Sequence, residues 1–92
     1  MSRHIPRPAL KRFSEIQEII LKKNDKRKKG WNGCSIDYLF SRLQDEVYEL
    51  KIAIEKMTDT TSPDIESECA DVANFAMMIA DNWNNKFHKG MP

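Results

Sequence analysis

Ile36-Asp37-Tyr38-Leu39-Phe40-Ser41-Arg42-Leu43-Gln44-Asp45-Glu46-Val47-Tyr48-Glu49-Leu50 decides the architecture of this chain. Ile36, Leu39, Phe40, Leu43, Val47 and Leu50 recur at helical spacing, and Ile54 and Met57 continue the series. At about 100° per residue they share one narrow arc, which predicts an amphipathic helix of about twenty residues. Ser35 offers an N-cap hydroxyl, and Asp37 puts negative charge near the positive end of the helix dipole. Two acids, Glu46 and Glu49, are set into this apolar pattern at i, i+3 spacing, which places both on one side of the helix.

Toward the C-terminus, Thr58 to Thr61 form a polar break. Ser62-Pro63-Asp64 then combines a capping hydroxyl, a proline suited to a first turn and an acid at the positive helix end. The pattern predicts a third helix from near Pro63 to about Lys86. Its main apolar face comprises Ile65, Cys69, Val72, Ala73, Ala76, Ile79, Ala80 and Trp83, while Phe75, Met77 and Met78 make the opposite face apolar too. A helix apolar nearly all round is buried on nearly all sides, and three helices of one small chain cannot cover it. A partner chain is the expected cover. This helix carries a second i, i+3 acid pair, Glu68 and Asp71.

Toward the N-terminus, Pro6 and Pro8 hold the chain extended, and a helix is expected from near Ala9. Leu10, Phe13, Ile16, Gln17, Ile20 and Leu21 give it one face before it decays into Lys22–Lys29. Gly30-Trp31-Asn32-Gly33 is a turn by composition. Residues 1–8 and 87–92 are expected as flexible ends. No strand pattern stands out. The expectation is one all-α domain over residues 1–92, a helical hairpin preceded by an N-terminal helix.

Charge is unevenly placed. Residues 1–30 carry ten Lys/Arg against three acids, or +7; residues 31–92 carry five against eleven, or −6, for the net +1 of the 92-residue chain. A basic arm of this kind suits phosphate groups, of a small substrate or of nucleic acid, or simply a solvated helix end. Cys34 and Cys69 lack the partners and spacing of a disulfide or zinc site. The first residues contain no signal-peptide apolar stretch, and the longest uncharged helical run, Val72 to Ala80, is far too short to span a bilayer. A reducing, cytoplasmic setting without membrane insertion is expected.

The two acid pairs belong together. With the second helix ending near Met57 and the third starting near Pro63, Glu49 and Glu46 lie about 12 and 16 Å below the hairpin top, and Glu68 and Asp71 about 8 and 12 Å, at about 1.5 Å per residue. All four acids can therefore occupy one level. Unpaired acids beside apolar stripes repel one another, and a hard divalent cation is the simplest remedy.

With these residues in view, Leu39 to Leu50 resembles the first motif helix of the MazG-like all-α nucleoside triphosphate pyrophosphohydrolases, and Glu68-Cys69-Ala70-Asp71-Val72-Ala73-Asn74-Phe75 and the residues up to Ile79 resemble the second. The Lys29-Gly30-Trp31 stretch is similar to short bacterial and phage-type members. The likeness covers roughly residues 22 to 83. It implies that Glu46, Glu49, Glu68 and Asp71 ligate Mg²⁺, with Mn²⁺ as a substitute. It implies hydrolysis of (deoxy)nucleoside triphosphates to monophosphate and pyrophosphate, a nucleotide-pool house-cleaning reaction. It also implies a four-helix-bundle core completed by dimerisation, as a homodimer or homotetramer.

Within that expectation Glu49 is the candidate general base, and Lys28 and Lys29 are candidate phosphate ligands. Trp31 either stacks on a base or packs beside its turn. Asn74, one turn beyond Asp71, either bonds a sugar or a metal-bound water or is satisfied within an interface. His4 and His88 receive no role. The alternative to the hydrolase is a non-catalytic helical module for oligomerisation, or one that binds nucleic acid through Lys22–Lys29; the acidic remainder of the chain speaks against nucleic acid.

Overall fold

The computed structural model describes residues 5–25, 30–57 and 64–87, and these form three helices with no strand among them. They are α1 (Pro8–Asp25), α2 (Ile36–Glu55) and α3 (Ile65–Phe87). Pro8 and Phe87, expected in flexible ends, are thus helical; Pro8 occupies the first turn, where its missing N–H costs nothing. Ser35 caps α2 as expected, its Oγ accepting the Tyr38 backbone N–H at 3.0 Å. α3 starts later than Ser62-Pro63 suggests. Asp64 is its cap, with Oδ1 accepting the Ser67 N–H at 3.0 Å and Oδ2 the Ser67 hydroxyl at 2.6 Å. These bonds favour the ionised form and hold the Asp64 carboxyl below its usual range.

The chain direction follows from the pairings. Asn82 meets Cys34, Phe75 meets Arg42 and Asp71 adjoins Glu46, so α2 and α3 are antiparallel. Arg12 pairs with Glu66 at 2.8 Å and Gln17 bonds Asn74 at 3.0 Å, so α1 runs parallel to α3. α1 packs on α3 and not on α2. Gly30 has φ of +90°, in the left-handed region that glycine enters without steric cost, and it opens the turn that leads to α2.

The apolar core among the described residues is small: Leu39, Ala53 and Ala70 are buried, and Glu46, Asn74 and Asn82 are buried with them. Each polar member is matched, since burying an unbonded polar group costs several kcal/mol. Asn74 exchanges bonds with the Gln17 side chain and backbone oxygen. Asn82 Nδ2 donates to the carbonyl oxygens of Trp31 and Cys34 at 2.8 and 2.9 Å. These polar pins fix the orientation of α3. They turn Ala70, Asn74 and Met78 inward; of the main apolar face expected from periodicity, Ala76, Ala80 and Trp83 are exposed and Ile65, Cys69, Val72, Ala73 and Ile79 are half-buried.

α2 shows the same bias. Ile36, Phe40, Leu43, Val47, Leu50, Ile54 and Met57 alternate by four and three residues, a heptad seam. Its buried stripe, Leu39, Glu46 and Ala53, lies at the edge of that seam, and Phe40, Val47 and Ile54 are about half exposed. In an antiparallel pair the two helices turn in opposite senses when viewed from one end. The exposed edge of α2 and the outward face of α3 therefore lie on the same side of the hairpin, and α1 covers the other side.

Candidate metal centre

On the α1 side of the hairpin, Glu46 from α2 and Glu68 and Asp71 from α3 converge. One carboxylate oxygen from each lies within 4.8 Å of the others. Helical spacing brings this about: Glu68 and Asp71 share a side of α3, and the antiparallel pairing sets them level with Glu46. Glu46 is only 7% exposed, while Glu68 and Asp71 are half-buried. Glu49 is exposed and stands outside this set of three, yet its charge acts on all three acids.

Electrostatics record the crowding. Burial is the largest cause pushing the Glu46 carboxyl from 4.5 up to about 7, followed by the Glu49 charge and hydrogen bond and by Asp71, against the pull of Arg42. Glu68 is raised by burial, then by Asp71, Glu49 and Asp64; Asp71 is raised by burial and then by Glu49. Each is the response expected when anionic groups share a desolvated site. Among the described residues Arg42 is the cation paired with this site, with Nη2 3.2 Å from Glu46 Oε2 and Nη1 2.9 Å from Asp45 Oδ2.

The donor set fits a hard divalent ion. Carboxylate oxygens suit Mg²⁺ and Mn²⁺. Two ligands opposite one another across Mg²⁺ stand about 4.2 Å apart, twice the bond of about 2.1 Å. Three oxygens within 4.8 Å need only small rotations to close on such an ion.

A cavity of about 290 Å³ leads away from the acids between α1, the 30–35 turn, α2 and α3. Glu46 and Asp71 line one end, Arg42 and Phe75 come next, Leu39, Ile20, Leu21 and Met78 form its apolar middle, and Gly30, Trp31, Asn24 and Asp25 border the far end. Trp31 is half-buried in its wall, and its indole N–H donates to Asp81 Oδ2 at 2.9 Å. Asn74 also lines the cavity, but its amide is engaged by Gln17. Lys28 and Lys29 lie outside the described residues, as do His4 and His88. Of the basic segment Lys22–Lys29, Lys22 and Lys23 are described, and both are exposed on the last turn of α1.

Arg42, Gln17, Asp81 and Asn82 are members of this arrangement that sequence reasoning left without a role. A signal existed for Gln17, a polar residue inside the apolar arc of α1, as Asn74 is within an apolar stretch of α3. Such residues call for a buried polar partner, and here they find each other.

No known protein family, no curated protein and no solved structure matches the chain.

Proposed function

We propose that the protein is a Mg²⁺-dependent hydrolase of (deoxy)nucleoside triphosphates, releasing monophosphate and pyrophosphate. The observation that carries this reading is the convergence of Glu46, Glu68 and Asp71, two of which, Glu46 and Asp71, also line a cavity of about 290 Å³. Glu46, Glu68 and Asp71 would hold the ion, with Glu49 as a fourth ligand or as the acceptor of the proton from the attacking water. When bound, Mg²⁺ (or Mn²⁺) neutralises phosphate charge and lowers the pKa of a water. The apolar middle of the cavity excludes solvent and the Trp31 ring offers a stacking surface for a base, since its N–H is already committed to Asp81. Lys28 and Lys29 hold the outer phosphates.

The working unit in this reading is a homodimer built on the apolar side of the hairpin. α2 is about 30 Å long at its 20 residues. Two helices side by side are about 20 Å wide, so the face covers roughly 600 Å². That is close to the roughly 800 Å² per partner of a stable interface, and large for a face left to water. Bulky Phe40, Val47 and Ile54 on α2 complement small Ala73, Ala76 and Ala80 on α3, so a two-fold axis would set each stripe on its opposite.

The test is an assay of pyrophosphate release from each NTP and dNTP with Mg²⁺. Wild type releases pyrophosphate from at least one, and Glu68→Gln lowers the rate by about a hundredfold or more. No release with any nucleotide overturns the reading, and release of single phosphate places the cleavage elsewhere.

A further inference from the structure

Among the described residues lining the cavity, Arg42 is the cation, beside the two acids Glu46 and Asp71 that also line it. It lies one turn of α2 before Glu46, about 6 Å along the axis. From there the cavity runs on toward Trp31. Its guanidinium sits 5.2 Å from the centroid of the Phe75 ring, which reaches it from α3, and it is one-third exposed. Arginine has five N–H donors in a planar fork, and the contacts to Asp45 and Glu46 engage two. Among the described residues these are its two acceptors, and the Arg42 side chain also lines the cavity.

The two contacts differ in kind. The Asp45 bond is short and solvent-facing, and together with the Phe75 ring it holds the guanidinium in place. The Glu46 contact is longer, 3.2 Å, and uses a carboxylate that also belongs to the candidate metal ligands. A Glu46 oxygen that shares its lone pairs with a divalent ion has less charge to offer Arg42, and like-charge repulsion between ion and guanidinium loosens the pair further. We infer that Arg42 is a phosphate-gripping residue: paired with Glu46 while the site holds no ion, and turned to a phosphate oxygen of the bound triphosphate when it does. Arginine suits this role because its fork binds phosphate bidentately.

This inference rests on the triphosphate-hydrolase reading and makes two predictions of opposite sign. Titration calorimetry with Mn²⁺ alone, then with a non-hydrolysable nucleoside triphosphate analogue in saturating Mn²⁺, would measure wild type, Arg42→Gln and Arg42→Lys. Arg42→Gln should bind Mn²⁺ as tightly as wild type or a few-fold more tightly, because a competing cation is gone. It should bind the analogue about tenfold or more weakly. Arg42→Lys should recover part of that loss, keeping charge without the fork. Circular dichroism confirms that the variants fold. Unchanged analogue affinity in Arg42→Gln overturns the assignment. So does a parallel loss of Mn²⁺ and analogue affinity, which would make Arg42 a positioning partner of Glu46. A wild type that binds Mn²⁺ but none of the analogues overturns the underlying reading as well, and is thereby distinguished from failure of Arg42 alone.

Discussion

Glu46 concentrates the chemistry of this molecule in one side chain. Its carboxyl is buried, its pKa is pushed up to about 7 from 4.5, and burial is the leading cause. A carboxyl with a raised folded-state pKa binds its proton more tightly folded than unfolded. Its stabilising contribution is complete below about 4.5 and is lost as pH rises through about 7. Without metal, the protein should therefore lose stability between pH 5 and pH 8, by on the order of 2 kcal/mol from this group. Glu46→Gln should flatten that slope, and Mn²⁺ should stabilise wild type more at pH 8 than at pH 5. Urea melts at pH 5, 6.5 and 8, with chelator or with Mn²⁺, measure all three. A wild-type slope matching that of Glu46→Gln would show that Glu46 does not carry the effect. The sequence showed the acids because i, i+3 spacing and helical rise are properties of the backbone. It did not show that Glu49 stays exposed at the margin, or that Arg42 is drawn to Glu46, because both depend on rotamers and on what α3 presents across the hairpin.

At the scale of the elements, helix termini carry testable weight. Ser35→Ala removes the acceptor for the Tyr38 N–H and should cost about 1 kcal/mol, a fall in Tm of about 5 °C for a chain of this size. The 30–35 turn depends more on Asn82. Its amide donates to two backbone carbonyls, and Asn82→Ala leaves both without that partner; a loss of about 2 kcal/mol is expected in thermal melts, with a shift in tryptophan emission as Trp31 loosens. Ser35 was legible because one capping residue stood before one apolar arc. Asp64 was not, because Ser62 and Asp64 are both good caps and Pro63 is tolerated on either side of a helix start; the Ser67 hydroxyl settles the choice three residues later. The direction in which α3 turns its apolar faces was also hidden. Periodicity identifies an apolar stripe without saying what covers it, and the hydrogen bonds of Asn74 and Asn82 decide which side meets α1 and the turn.

At the scale of the whole molecule, few apolar side chains are buried among the described residues, and most of the heptad seam is left half in water. Hydrophobic area of this extent contributes at about 25 cal/mol per Å² once covered, so a face of roughly 600 Å² outweighs a modest ordering cost if a second copy supplies the match. Folding and association would then be linked, and Tm would rise with protein concentration. The substitution that separates this from an intrinsically stable monomer lies on the exposed edge of α2, away from the acids. Val47→Glu with Ile54→Lys places charges on positions that are already about half exposed, so a monomeric fold should tolerate them within about 1 kcal/mol. In a dimer the same pair buries two charges at the centre of the seam, where unpaired ions cost several kcal/mol. Sedimentation equilibrium should give twice the 10.7 kDa chain mass, or a multiple of that, for wild type and a single chain for the variant, with a Tm that no longer depends on concentration. A wild type that sediments as one chain at all concentrations, and a variant that melts with it, would mean that the seam faces water. The acids lie on the opposite side of the hairpin, so a variant that loses both association and Mn²⁺ affinity would show that the dimer interface holds the two helices at the spacing the metal site needs.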